Sequence, residues 1–172
     1  VPCTPTAYCD AGVCKSRITE FPVPTTGVTL NYICVGGDGN LWFTEARKIG
    51  RITPSGEVTE FLVPSGGAPS GIALGPDANV WFTETDSPLV GRITPTGVVT
   101  EFPTGASVHT NFITAGPDGN LWFTQTLGSD VSGSNTIVAM TIAGNIAAAH
   151  TLSAPDALGL GEITGQAVDG NL

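Results

Sequence analysis

The sequence predicts an all-β fold, a β-propeller of four-stranded blades with about three and a half blades in 172 residues. Three observations predict it: a block of about forty residues that recurs along the chain, two turn signals in every block, and the absence of any helical apolar spacing. The first block reads Gly36-Gly37-Asp38-Gly39-Asn40-Leu41-Trp42-Phe43-Thr44-Glu45. It returns from Gly75 as Gly-Pro-Asp-Ala-Asn-Val-Trp-Phe-Thr-Glu and from Gly116 as Gly-Pro-Asp-Gly-Asn-Leu-Trp-Phe-Thr-Gln, and a fourth copy begins at Asp169-Gly170-Asn171-Leu172. Successive Asp residues lie 39, 41 and 51 positions apart, the last interval being lengthened by a Gly/Ser-rich insertion around Gly128 to Asn135. Repeat units therefore run near 18–50, 51–91, 92–140 and 141–172, after a Cys-rich N-terminal segment at 1–17.

Each unit reads as strand, turn, strand, twice over. In Asp-Gly-Asn the Gly supplies the positive φ of a tight hairpin, and the Leu-Trp-Phe-Thr run that follows is rich in strand-forming residues. Ala78 stands where the other copies have Gly, so that turn is expected either to change type or to carry strain. The second hairpin turns at Pro54-Ser55-Gly56 and Pro95-Thr96-Gly97, joining Arg-Ile-Thr to a Val-Thr-Glu-Phe strand. Ser16-Arg17-Ile18-Thr19-Glu20-Phe21 is a compressed opening copy, read as one outer strand. Met140 to Ile146 keeps the outline without the Arg and the Pro, and reads as a divergent blade.

These runs resemble the streptogramin (virginiamycin B) lyase family of β-propellers, close to the NHL-type repeats. The resemblance implies a ring of six or seven blades and, for the lyases, magnesium-assisted C–O elimination that opens a cyclic depsipeptide. The lyase pattern it implies has a His just before the inner strand, an acid two residues earlier and the Glu of Trp-Phe-Thr-Glu fourteen residues after the His. In this chain the His positions hold Asn31, Ser70, Asn111 and Glu162, and the preceding acid positions hold Thr29, Ala68, His109 and Leu160. Only Glu45 and Glu84 match the later acid, because Gln125 replaces it in the third copy. No copy carries both the base and the acid pair that the elimination needs, so magnesium is expected only if such residues lie in blades outside this chain.

Asn31, Glu45, Ser70, Glu84, Asn111 and Gln125 are the candidate binding residues, expected to converge on a central channel. Trp42, Trp81 and Trp122 are expected to pack blade on blade rather than to stack on sugars, and Asp38, Asp77, Asp118 and Asp169 to cap turns rather than to bind calcium. His109 and His150 lack the spacing of a metal pair. Cys3, Cys9, Cys14 and Cys34 have no CxxC pair or neighbouring His, and read as two disulfides of a protein secreted to an extracellular or periplasmic compartment.

Composition narrows the partners. Six Lys and Arg against fifteen Asp and Glu, net charge −9, leave no surface for a phosphate backbone, so nucleic acid is excluded. No apolar run reaches the length of a membrane span. The expected partners are missing blades or other chains that close the ring, with a small polar ligand in the channel. The function this supports is an extracytoplasmic propeller acting as a binding or structural module, with a streptogramin-lyase-like enzyme as the alternative.

Overall fold

The structure, a computed structural model, describes residues 7–16, 19–105, 108–127 and 135–152. It contains three four-stranded antiparallel sheets, each wound in chain order, and among the described residues no helix. Blade 1 is β3 (Leu30–Val35), β4 (Leu41–Glu45), β5 (Lys48–Ile52) and β6 (Val58–Leu62). Blade 2 is β7 (Pro69–Leu74), β8 (Val80–Glu84), β9 (Leu89–Ile93) and β10 (Val99–Pro103). Blade 3 is β11 (Val108–Ala115), β12 (Leu121–Leu127), β13 (Asn135–Met140) and β14 (Ile146–Leu152). The first strands β3, β7 and β11 are neighbours across the blades, which makes them the innermost strands of the arc.

Blade limits are out of phase with the repeat units, which cut through β5 and β9. The hairpin from Met140 to Ile146, expected to open a divergent blade, joins β13 to β14 and so completes blade 3. The copy at Asp169 lies outside the described residues. Thr19 to Val23 forms no strand, yet Phe21 keeps its structural place. A Cβ on Gly56 would stand 2.2 Å from the Phe21 ring, as one on Gly97 would stand 2.1 Å from Phe61 and one on Gly144 2.0 Å from Phe102. Each of these rings covers the outer turn of the following blade.

The first and third hairpins of a blade use one turn. Gly39 N donates to Gly36 O at 3.1 Å, and Gly56 N to Thr53 O at 2.8 Å, with φ of 76° and 89° at the two glycines. Ala78 adopts the same turn at φ 61°, so the strained alternative is the one realised. Its carbonyl oxygen packs against blade 1, 2.6 Å from where a Cβ on Gly37 would stand. That close approach explains why the first copy has Gly37 where the others have Pro76 and Pro117.

Two apolar clusters lie between the blades. Trp42, Ile49 and Val63 meet Ile72, Val80, Phe82 and Ile93 at the first junction, while Trp81 and Val90 meet Leu121, Phe123, Val138 and Met140 at the second. The Trp of one blade thus faces the Phe side of the next, as expected for packing. Among the described residues no blade covers the Phe side of blade 1: Phe43 is buried, but Ile33 is 61% exposed against 8% for its counterpart Ile72, and Leu41 is 41% exposed against 2% for Val80.

At the N-terminus, β1 (Ala7–Asp10) and β2 (Val13–Ser16) form a hairpin in which Cys9 lies opposite Cys14. Cys14 is disulfide-bonded, whereas Cys34 on β3 is a free thiol packed beside the first apolar cluster, with burial pushing its pKa up to about 11. Two disulfides among the four cysteines therefore do not form, because β3 buries Cys34 in its own blade. Cys3 lies outside the described residues.

Replacing Ala78 by Gly removes the left-handed strain, and the variant is expected to gain about 0.5–1 kcal/mol in urea unfolding. Gly91→Ala is expected to lose roughly 1–3 kcal/mol in the same measurement, because its Cβ would stand 2.0 Å from the buried Phe82 ring.

Candidate functional site

The inner strand of every blade carries a bulge. Pairing slips between Leu30 and Ile33, between Pro69 and Ile72, and between Thr110 and Ile113. Asn31, Ser70 and Asn111 sit on these bulges, Asn31 exposed and the other two half-buried. The Thr of Trp-Phe-Thr secures the irregular backbone: Thr44 Oγ1 accepts the Tyr32 amide at 3.1 Å and Thr124 Oγ1 accepts the Phe112 amide at 3.2 Å. Thr83 instead donates to the Asn111 carbonyl, tying blade 2 to blade 3. Tyr32 and Phe112 meet edge to face at 5.8 Å, a contact that the sequence reading missed. At the same position in blade 2, a Cβ on Gly71 would stand 2.3 Å from the Asn111 carbonyl oxygen.

Glu45, Glu84 and Gln125 stand in register with Leu30, Pro69 and Thr110, the residues that precede Asn31, Ser70 and Asn111. Glu45 and Glu84, the last residues of β4 and β8, are fully buried, and Gln125 within β12 is 5% exposed. Each acid meets a second acid from the outer strand of its own blade, Glu45 facing Glu60 and Glu84 facing Glu101. These outer acids belong to the recurrent Val-Thr-Glu-Phe strand. Their recurrence was the available signal, but alternation alone does not show that a Glu turns inward.

In blade 1, Glu60 accepts from Thr25 N at 2.8 Å, Thr25 Oγ1 at 2.7 Å and Lys48 Nζ at 2.5 Å. Partial burial raises its pKa, but the bonds from Lys48 and Thr25 outweigh that and bring it down to about 2. Glu45 is pushed the other way, by burial first and then by the charge of Glu60, and neither of its carboxyl oxygens meets a donor. Glu45 is thus the member of the pair with the higher proton affinity. In blade 2 Glu84 is likewise raised, chiefly by burial, while the hydroxyls of Ser87 and Ser65 pull against it.

The conserved geometry of the turns is structural. Trp42, Trp81 and Trp122 donate their indole N–H to Asp38, Asp77 and Asp118 at 3.0, 2.9 and 3.0 Å, and the following Asn amide caps the same carboxylate. Burial is the largest single influence on Asp38 and Asp77 and raises both, yet these bonds together outweigh it and bring both below the usual carboxylate range, as they do Asp118. Arg51 and Arg92 lie over Trp42 and Trp81, each with its ring centroid 5.6 Å from the guanidinium. His109 contacts the Thr85 carbonyl, and His150 stacks on Trp122 with centroids 6.4 Å apart.

The described residues do not fit magnesium. They contain no group of three His, Cys, Asp or Glu side chains able to hold a metal ion, the bulge positions offer neutral side chains, and Lys48 already neutralises Glu60.

The virginiamycin B lyase family model matches residues 11–172. The chain belongs to the virginiamycin B lyase family. Among solved structures, it is similar to selenomethionine-substituted virginiamycin B lyase from Staphylococcus aureus, with 34% identity, a TM-score of 0.69, and coverage of 85% of this chain and 47% of that one. A catalytically inactive variant of that enzyme with quinupristin gives 34% identity and a TM-score of 0.70 over 82% of this chain and 46% of that one. Regucalcin from Agrobacterium tumefaciens, at 20% identity and TM-score 0.57 over 81% of this chain and 50% of that one, shares the fold. The chain therefore spans less than half the length of the lyases it matches. No curated protein sequence matches it.

Lys48→Met removes the cation that keeps Glu60 ionised. In the parent, the depressed Glu60 contributes stability above the ordinary carboxylate pKa, and this is lost as pH falls through about 2. The variant is expected to melt lower at neutral pH and to show a shallower acid limb, read from melting temperature against pH.

Proposed function

We propose that this chain is part of a propeller that has kept the lyase framework and works as an extracytoplasmic binding or structural module. The observation that carries this reading is the fate of the lyase positions. Asn31, Ser70 and Asn111 offer no base, and Glu45 and Glu84 are sealed in acid pairs within their own blades. Removal of a proton α to a carbonyl requires a base within hydrogen-bond reach of the substrate, and neither set supplies one. The bulges offer amides, a hydroxyl and the Tyr32–Phe112 pair, a surface suited to a small polar ligand with an apolar part. The exposed Ile33 and Leu41 on the Phe side of blade 1 favour a further blade or another chain as the covering partner. Export is supported by the disulfide at Cys14.

A second reading keeps the enzyme. Because the chain spans under half of its lyase relatives, a His and acid pair in further blades would make the full protein a magnesium-assisted C–O lyase. Incubating the full-length protein with magnesium and quinupristin separates the two. The expected result is intact quinupristin by mass spectrometry, and a magnesium-dependent linear product would replace the binding-module reading with the lyase.

A further inference from the structure

The connection from blade 1 to blade 2, residues 63–68, is fastened to a pair of acids. Glu84 on β8 is fully buried, and its Oε2 accepts from Ser65 Oγ at 2.8 Å and from Ser87 Oγ at 2.5 Å. Its Oε1 is buried with no donor in reach, and Glu101 on β10 is its side-chain neighbour. Glu101 Oε1 accepts the Ser65 amide at 3.0 Å, so a single serine holds both acids. Ser65 is itself fixed by the Gly67 amide, which donates to its hydroxyl at 2.9 Å. Gly67 has no room for a side chain, since a Cβ there would stand 1.9 Å from Glu84 Oε2.

Two neighbouring carboxyl groups, Glu84 fully buried and Glu101 half-buried, do not both carry charge without a penalty. With both serine hydroxyls on Oε2, the oxygen left for a proton is Oε1. A proton there is donated to Glu101, while Glu101 still accepts the Ser65 amide through its own Oε1.

The other blades supply an independent comparison. In blade 3 the acid of β12 is Gln125, a neutral isostere that carries a donor, and the strand register sets Ala149 where blade 2 has Glu101. The two acids are lost together. In blade 1 both positions stay acidic, as Glu45 and Glu60, but Lys48 pairs with Glu60, and blade 2 has Leu89 at that place.

We propose that Glu84 and Glu101 share one proton and, through Ser65, form a latch between blades 1 and 2 that is closed while the proton is bound and released when it leaves. The charged groups around it have other partners or places. Asp86 accepts the Ala68 amide at 2.6 Å, Arg47 Nη1 lies over Gly66, and His109 on β11 is bonded to the Thr85 carbonyl. Among the described residues none of the three is ion-paired to either acid. Loss of the proton therefore leaves two facing negative charges under Ser65.

Burial raises the proton affinity of Glu84, the Ser87 and Ser65 hydroxyls lower it, and the charge of Glu101 raises it again, with a net rise. A raised carboxyl pKa in the folded state makes stability fall as pH climbs from the ordinary Glu value of about 4.3 through the raised one. In the full-length protein, hydrogen-exchange protection at the Ser65 to Ala68 amides is followed across that window together with the melting temperature. Protection at those amides in the parent is expected to fall by up to about tenfold per pH unit, the slope of one released proton. Glu84→Gln and Glu101→Gln each supply a permanent donor and are expected to hold protection flat with pH. Gly67→Ala displaces Glu84 and is expected to lose protection at every pH. A pH slope in either Gln variant equal to that of the parent overturns the proposal, as does a parent without a slope. If one Gln variant fails to fold, the other decides alone.

Discussion

The arc depends on a buried indole that is satisfied from within its own turn. Trp81 has no exposed surface, and burying its N–H without a partner would cost roughly 1–3 kcal/mol. Asp77, four residues earlier, removes that cost and at the same time caps the turn through Asn79. The ring is then free to be used as an apolar slab: Phe102 stacks on it at 5.2 Å, Arg92 lies over both rings, and blade 3 closes the other side with Leu121 and Phe123. Each blade presents this slab to its successor and receives the successor's Phe side, so the fold extends by nearest-neighbour contacts.

Blade 3 shows what happens when the slab is altered. Its register sets Ala139 opposite Trp122 where Arg51 and Arg92 stand opposite the other two Trp residues. His150 takes the place of the stacking Phe, and Val138 the place of Gly50 and Gly91. Trp122 is only half-buried, yet its bond to Asp118 is kept. The turn bond is thus a property of the local motif, whereas burial of the ring depends on the Arg, the Phe and the neighbouring blade.

The fold was legible because the repeat, the two turns and the Trp series are all written in adjacent residues. Phase was not, because a period says how far apart equivalent positions lie and nothing about which strand begins a sheet. Reading from the outer strand assigned the 140–146 hairpin to a new blade, and the pairing of β13 with β14 returned it to blade 3. The turn series Asp38, Asp77 and Asp118 was legible for the same local reason. The acids were not: Glu45 and Glu84 stand beside recognisable motifs, but their partners Glu60 and Glu101 lie on strands two places away in the sheet, and only the register unites them. Cys34 was misread because counting cysteines gives parity without geometry.

The motif Trp-Phe-Thr-Glu therefore carries architecture in every one of its side chains. Trp and Phe form the two sides of the blade junction, and Thr44 and Thr124 secure bulge amides whatever side chain occupies Asn31 or Asn111. Glu84 anchors the incoming connection through Ser65. The bulge residue is instead held by backbone bonds that do not read its identity. Substitution there disturbs no strand, turn or junction, so a chain at 34% identity to a lyase keeps the shared fold with the neutral Asn31, Ser70 and Asn111 at its bulges.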